Sequence, residues 1–117
     1  MAEATIVYVF PIAAGQRWIW HVKDSGGNVV ASSHAERADE EGARLQVEDL
    51  VDALWDNVEP DYVEEGSWHW VLVSNEELRG RSSRAFADRS EAQNDFELVK
   101  TMLTRRLDFS VPGSSDA

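Results

Sequence analysis

Apolar and polar residues alternate from Arg17 to Lys23. Trp18, Trp20 and Val22 fall on one side, and Arg17, Ile19, His21 and Lys23 on the other. This predicts a strand with one buried face. The pattern returns 50 positions later, where Trp68, Trp70 and Leu72 alternate between Ser67 and Val73. Ser32-Ser33 and Ser82-Ser83 stand at the same offset. An internal repeat of this length sets the architecture.

The flanking segments complete each copy. Thr5–Phe10 is rich in β-branched and aromatic residues and predicts a strand, which Pro11 ends before a turn at Ala13-Ala14-Gly15. Asp24–Asn28 is a turn rich in glycine, and Val29–Ser32 a third strand. Asp39 then caps a helix whose apolar stripe is Ala43, Val47, Leu50, Val51, Leu54 and Val58, stopped by Pro60. In the second copy a shortened strand begins near Asp61, Ser74–Glu77 turns the chain, and Leu78–Ser82 pairs back. Asp88 caps a helix, with Glu91 completing a capping box. Its stripe is Ala92, Phe96, Val99, Leu103 and Leu107. The caps Asp39 and Asp88 lie 49 apart, which predicts a residue lost between the serine pair and the cap.

Each copy thus reads strand–strand–strand–helix, with the Trp stripe as the face that the helix covers. The expected fold is α+β: an antiparallel sheet, or two abutting sheets, with both helices on the Trp-bearing side. One compact domain is expected over residues 1–109, with repeats at 4–58 and 61–107 and a disordered tail at 110–117. A unit of about 50 residues is marginal alone, so the copies should share a core.

These residues resemble the YegP-like family of short bacterial and archaeal proteins, a domain of unknown function. Its unit runs approximately W-R-W-R-L-K-A-x-N-G-E-I-I-A-T-S, then an aromatic, a helix opening and an N-G-I step. Trp18, Trp20, Lys23, Gly27, Val29, Val30, Ala31 and Ser33 fall on it in the first copy. In the second, Trp68, Trp70, Ser83 and Phe86 do, and Asn94-Asp95-Phe96 stands at the N-G-I step. The chain departs from the pattern at Glu36, in place of the aromatic, at Glu76-Glu77, in place of Asn-Gly, and at Gly80 in the third strand. The resemblance implies a tandem-duplicated single-chain pseudo-dimer with an approximate two-fold axis. It implies no activity.

Composition narrows the function. The chain has no cysteine, which excludes disulfides and thiol chemistry. No signal peptide is expected from its first residues, and no apolar run approaches the roughly 20 residues that span a bilayer. A cytoplasmic protein with no membrane contact is expected. The net charge is −11, and only Lys23 and Lys100 are lysines. That balance resembles a halophilic cytoplasm, with Arg-for-Lys codon bias as the alternative. It disfavours nucleic acid unless arginines cluster.

One cluster exists: Arg79, Arg81, Arg84 and Arg89, with Phe86 among them. These five residues are the speculative binding surface, for phosphate or stacked single-stranded bases. Salt bridges to Glu76, Glu77, Asp88 and Glu91 are the competing role. His21, His34 and His69 do not repeat and have no metal-ligand spacing, so no metal is expected. The serine pairs lack a positioned base and are expected to bond backbone at a strand corner. Phosphate-loop motifs are absent. No catalytic residue and no cofactor are expected. The leading expectation is a non-enzymatic interaction or accessory domain with a protein partner. A nucleic-acid-associated protein is the alternative, and an enzyme with a pocket between the repeats is a third class. Duplication predicts a monomer.

Overall fold

The computed structural model describes residues 5–33 and 36–111. His34, the start of the first repeat and tail residues 112–117 lie outside them. In chain order the elements are β1 Thr5–Ile12, β2 Arg17–Lys23, β3 Val29–Ser32, α1 Glu40–Trp55, β4 Asp61–Glu64, β5 Trp68–Ser74, β6 Glu77–Arg81, α2 Arg89–Leu103 and β7 Leu107–Ser110. A single 3-10 turn at Ala13–Gly15 joins β1 to β2. The strands form two sheets, ordered β3-β2-β1-β7 and β4-β5-β6.

The two α+β repeats stand as the alternation predicts. Both caps form: the Asp39 carboxylate accepts from the Gly42 amide at 2.7 Å, and that of Asp88 from the Glu91 amide at 2.9 Å. Glu91 accepts in turn from the Ala87 amide. Both helices lie on the Trp-bearing side. Trp20, Val22, Trp70 and Leu72 are buried against Val47, Leu50, Leu54, Phe96, Val99 and Leu103.

The sheets meet through their β3 and β6 edges. Ala31 bridges Ser82, and the Ser83 hydroxyl donates to the Val29 carbonyl at 2.9 Å. Each helix covers its own sheet and reaches across the seam: α1 contacts β6, and α2 contacts β3. The two copies therefore share a core, as their size requires.

Four expectations change. First, the sheet is mixed, because β7 pairs parallel to β1. Residues 107–110 therefore leave the helix and the tail. α2 ends at Leu103, and Leu107 and Phe109 pack against the core from a strand. The Thr5 amide and hydroxyl hold this end of the chain, donating to the Arg106 and Met102 carbonyls. Second, β1 runs through Pro11 to Ile12. Proline fits because β7 stops opposite Tyr8, so the missing amide faces an open edge.

Third, the lost residue lies in the β5–β6 turn, not in the loop before the helix. The Ser33 amide bonds the Trp20 carbonyl, and the Ser82 amide bonds that of Trp70, so Ser33 and Ser82 are equivalent. Arg37 and Phe86 are equivalent likewise, bridging Trp18 and Trp68. The aromatic position of the first copy is thus Arg37, not Glu36. The shorter turn places Asn75 and Glu76 at φ 54° and 64°, where asparagine and glycine are favoured. Fourth, both hairpins carry a bulge at the matching place, between Val22 and Lys23 and between Leu72 and Val73. Val30 and Arg79 are the extra residues, and the bulge separates Arg79 from Arg81, which pairs with Val71.

Gly80 is explained by the seam. A Cβ there would sit 2.9 Å from a Leu50 methyl, and Leu50 is fully buried. In the first copy the equivalent strand residue is Ala31, and the helix residue equivalent to Leu50 is Val99. The pairs divide the same side-chain carbons differently, glycine with leucine and alanine with valine. Gly80→Ala should therefore destabilise by about 1 kcal/mol, the overpacking penalty less the gain from replacing a strand glycine. Leu50→Val should cost about 1 kcal/mol alone. The double variant should be more stable than the sum of the two losses predicts, measured by urea unfolding.

Candidate functional site

The arginine set is dispersed by its partners. Arg79 turns towards α1, where it meets Asp49 at 3.4 Å; it also meets Glu77 of its own strand at 3.0 Å and donates to the Ser74 carbonyl. Arg84 meets Asp95 at 2.7 Å and lies 5.9 Å from the Phe86 ring centre. Arg89 lies over the Tyr62 ring. Arg81 stands opposite Val71 on the other face of the second sheet. Arg84 and Phe86 are thus brought together, and Arg79, Arg81 and Arg89 point to three different surroundings.

The Arg84 contact belongs to the fold. A buried indole N–H needs an acceptor. Trp20 donates to the Gln46 side chain at 3.0 Å, and Trp70 to the Asp95 carboxylate at 2.8 Å. The acceptors hold equivalent positions on the two helices. The first is a neutral amide; the second is a carboxylate with only 3% of its side chain exposed, and Arg84 neutralises it. The serines also act on backbone: the Ser33 and Ser82 hydroxyls accept from the Trp20 and Trp70 amides at 3.4 and 3.3 Å.

The helix-free faces of the two sheets carry a further group of side chains. Strand alternation places Tyr8, Phe10, Ile12, Ile19, His21 and Lys23 there in the first sheet, and Val63, His69, Val71 and Arg81 in the second. His21 lies between rings, with the Phe10 centroid at 4.8 Å and the Tyr8 centroid at 5.7 Å. On the second sheet Val63, Glu65, His69, Val71 and Arg81 line a cleft of about 450 Å³. The Ser67 hydroxyl approaches His69 Nε2 at 3.3 Å. This Ser-x-His pair escaped the sequence reading, which weighed only repeated serines. Its signal was the i, i+2 spacing across the start of β5. Among the described residues no group of three His, Cys, Asp or Glu can hold a metal ion, and no helix is long and apolar enough to cross a membrane.

A second cleft, of about 280 Å³, opens between β1, the β2–β3 turn and the C-terminal half of α2. Lys23 and Arg105 are on its wall. Asp24 also lines it, but its carboxylate accepts from the Gly26 and Asn28 amides at 2.9 and 3.0 Å. The Asn28 amide foremost holds its pKa below the ordinary 3.8. Sequence reading missed this cleft because α2 and β1 are distant in the chain.

Two consequences can be measured. Arg84→Ala leaves the Asp95 carboxylate buried without its cation. The loss should be about 1–2 kcal/mol, below the full cost of breaking a buried pair because Arg84 is partly solvated. In an Asp95→Asn background the same truncation should cost under about 0.5 kcal/mol, which a double-mutant cycle reads directly. For His21, burial and then Lys23 lower the pKa from 6.5. The unfolded chain therefore binds this proton more readily. The stabilisation is complete above about pH 6.5 and is lost as pH falls through the lower folded value. Thermal melts from pH 7.5 to 5.0 should show a smaller decline for His21→Phe than for the natural chain.

No family model and no curated protein matches the chain. Solved structures do. The solution NMR structure of yegP, a protein of unknown function from E. coli, aligns with a TM-score of 0.76 at 14% identity, covering 97% of this chain and 99% of that one. A UPF0339 protein from Shewanella oneidensis aligns with a TM-score of 0.73 at 12% identity, covering 97% of each. The chain thus has the fold of the YegP and UPF0339 structures, as its two Trp-x-Trp strands implied.

Proposed function

We propose that the protein is a non-enzymatic interaction domain that meets a protein partner through its helix-free sheet face. The observation that carries this reading is the make-up of that face. Phe10, Ile12, Ile19, Val63 and Val71 stand there only partly covered, and Val73 is 42% exposed. Aromatic and aliphatic side chains beside a few polar groups are the composition of a protein-binding patch. Three polar groups of the repeat serve the fold: Asp95 is engaged with Trp70 and Arg84, and Ser33 and Ser82 with backbone. The acidic, lysine-poor composition supports a salt-rich cytoplasm as its setting. Nucleic acid is the weaker reading, because Arg79 and Arg84 are already paired with carboxylates.

Photo-crosslinking in the native cell tests this. A benzophenone amino acid placed at Ile19 or Val73 should yield a discrete protein adduct; at Glu41, on the outside of α1, it should not. Adducts from Glu41 alone, or none from the sheet face, would overturn the proposal. A salt-sensitive mobility shift with single-stranded RNA, abolished by Arg81→Ala, would replace it with the nucleic-acid reading.

A further inference from the structure

The cleft between the first sheet and α2 differs in character from the rest of the molecule. Ile6 and Leu98, at 42% and 46% exposure, are among the most exposed large apolar residues of the chain, and both line it with Met102 and Tyr8. Lys23 and Arg105 add two positive charges in a chain of net charge −11. Among the described residues neither forms an ion pair; Lys23 rests 5.2 Å from the Tyr8 ring centre. The third charge, Asp24, is bound by its own turn.

The internal repeat supplies a control. Strand registers and helix caps define the equivalent positions across the pseudo-two-fold axis. Tyr8 corresponds to Asp61, Leu98 to Asp49, Arg105 to Asp56 and Lys23 to Val73. In that copy Arg79 reaches Asp49. The same frame therefore carries acids at one place and an apolar wall with two free cations at the other. Folding demands neither set, since the framework accommodates both. Unpaired cations beside exposed apolar side chains are what an amphipathic anion requires: charge for the head and a surface to cover for the tail.

We propose that this cleft binds a small organic anion, a carboxylate or sulfonate on a short apolar tail. Lys23 and Arg105 hold the head group, and Ile6, Leu98 and Met102 cover the tail. The volume, about 280 Å³, is just below the usual range for small-molecule sites, so the ligand is small.

Titration of the isotope-labelled full chain with sodium octanoate, followed by amide chemical shifts, tests the proposal. Saturable shifts are expected at Ile6–Tyr8, Lys23–Ser25 and Leu98–Arg105. Acetate, lacking the tail, and octyltrimethylammonium, with the opposite head charge, should each bind at least tenfold more weakly. Lys23→Met and Arg105→Met should each weaken octanoate at least fivefold while leaving the remaining spectrum in place. Equal binding of the cationic probe, shifts that do not saturate, shifts centred on Val63, His69 and Val71 of the second sheet, or unchanged affinity in both variants would overturn the proposal. The probe comparison needs only the natural chain, so it decides the matter even if a variant fails to fold.

Discussion

A tryptophan buried at the centre of a sheet must find an acceptor for its indole N–H, and this requirement organises both halves of the molecule. Trp20 and Trp70 are each about 1% exposed, and each donates to a polar side chain on the covering helix. The pair fixes the rotation of the helix, because the acceptor must face the sheet from within an otherwise apolar stripe. In α1 that acceptor is an amide, which is neutral. In α2 it is a carboxylate, whose burial demands a cation, and Arg84 supplies it. One apparent member of a binding cluster is thus explained by a hydrogen bond made in the core.

The repeat was legible because it is written in features that act locally. Strand alternation, the Asp39 and Asp88 caps and the apolar stripes each depend on neighbours within a few residues, and they stand where the sequence puts them except at the stripes' ends, Val58 and Leu107, which lie beyond the helices. What escaped depends on contacts between distant segments. β7 exists because Thr5 holds the chain after α2 beside β1, and no short window around Leu107 contains that information. Bulges are equally silent. Val30 and Arg79 occupy one structural position, yet one is buried in the core and the other reaches a carboxylate. Aligning the serines as pairs hid the shortened turn, because an offset of 50 matches both serines whereas the true offset of 49 matches only Ser33 to Ser82. Only the amide bonds of Ser33 and Ser82 to the tryptophan carbonyls choose between them.

The candidate sites follow the same division. Arg79–Arg89 reads as one patch because its members are close in sequence, but a strand, a bulge and a loop send neighbouring side chains to different faces. The cleft holding Lys23 and Arg105 reads as nothing in sequence, because its two cations come from opposite repeats. Neighbourhood along the chain is a poor guide to a site in a fold whose helices cross a seam.

A duplicated chain also separates constraint from freedom. Where the copies agree, as at Trp20 and Trp70 or at the caps, the fold requires the residue. Where they differ within the core, the differences compensate: a glycine faces a leucine at Gly80 and Leu50, while Ala31 and Val99 hold the equivalent places. At the surface no such compensation is needed. Asp49, Asp56 and Asp61 stand across the axis from Leu98, Arg105 and Tyr8, and solvent accommodates either set. The loss of acids at two equivalent positions, the reversal of charge at Arg105 and the added cation at Lys23 are therefore not a requirement of packing. An acidic chain kept soluble by its charge would carry acids there too if solubility were the sole demand on that surface. The cations and the uncovered Ile6 and Leu98 depart from that pattern together, and a ligand with both a charge and a tail is the single requirement that accounts for both.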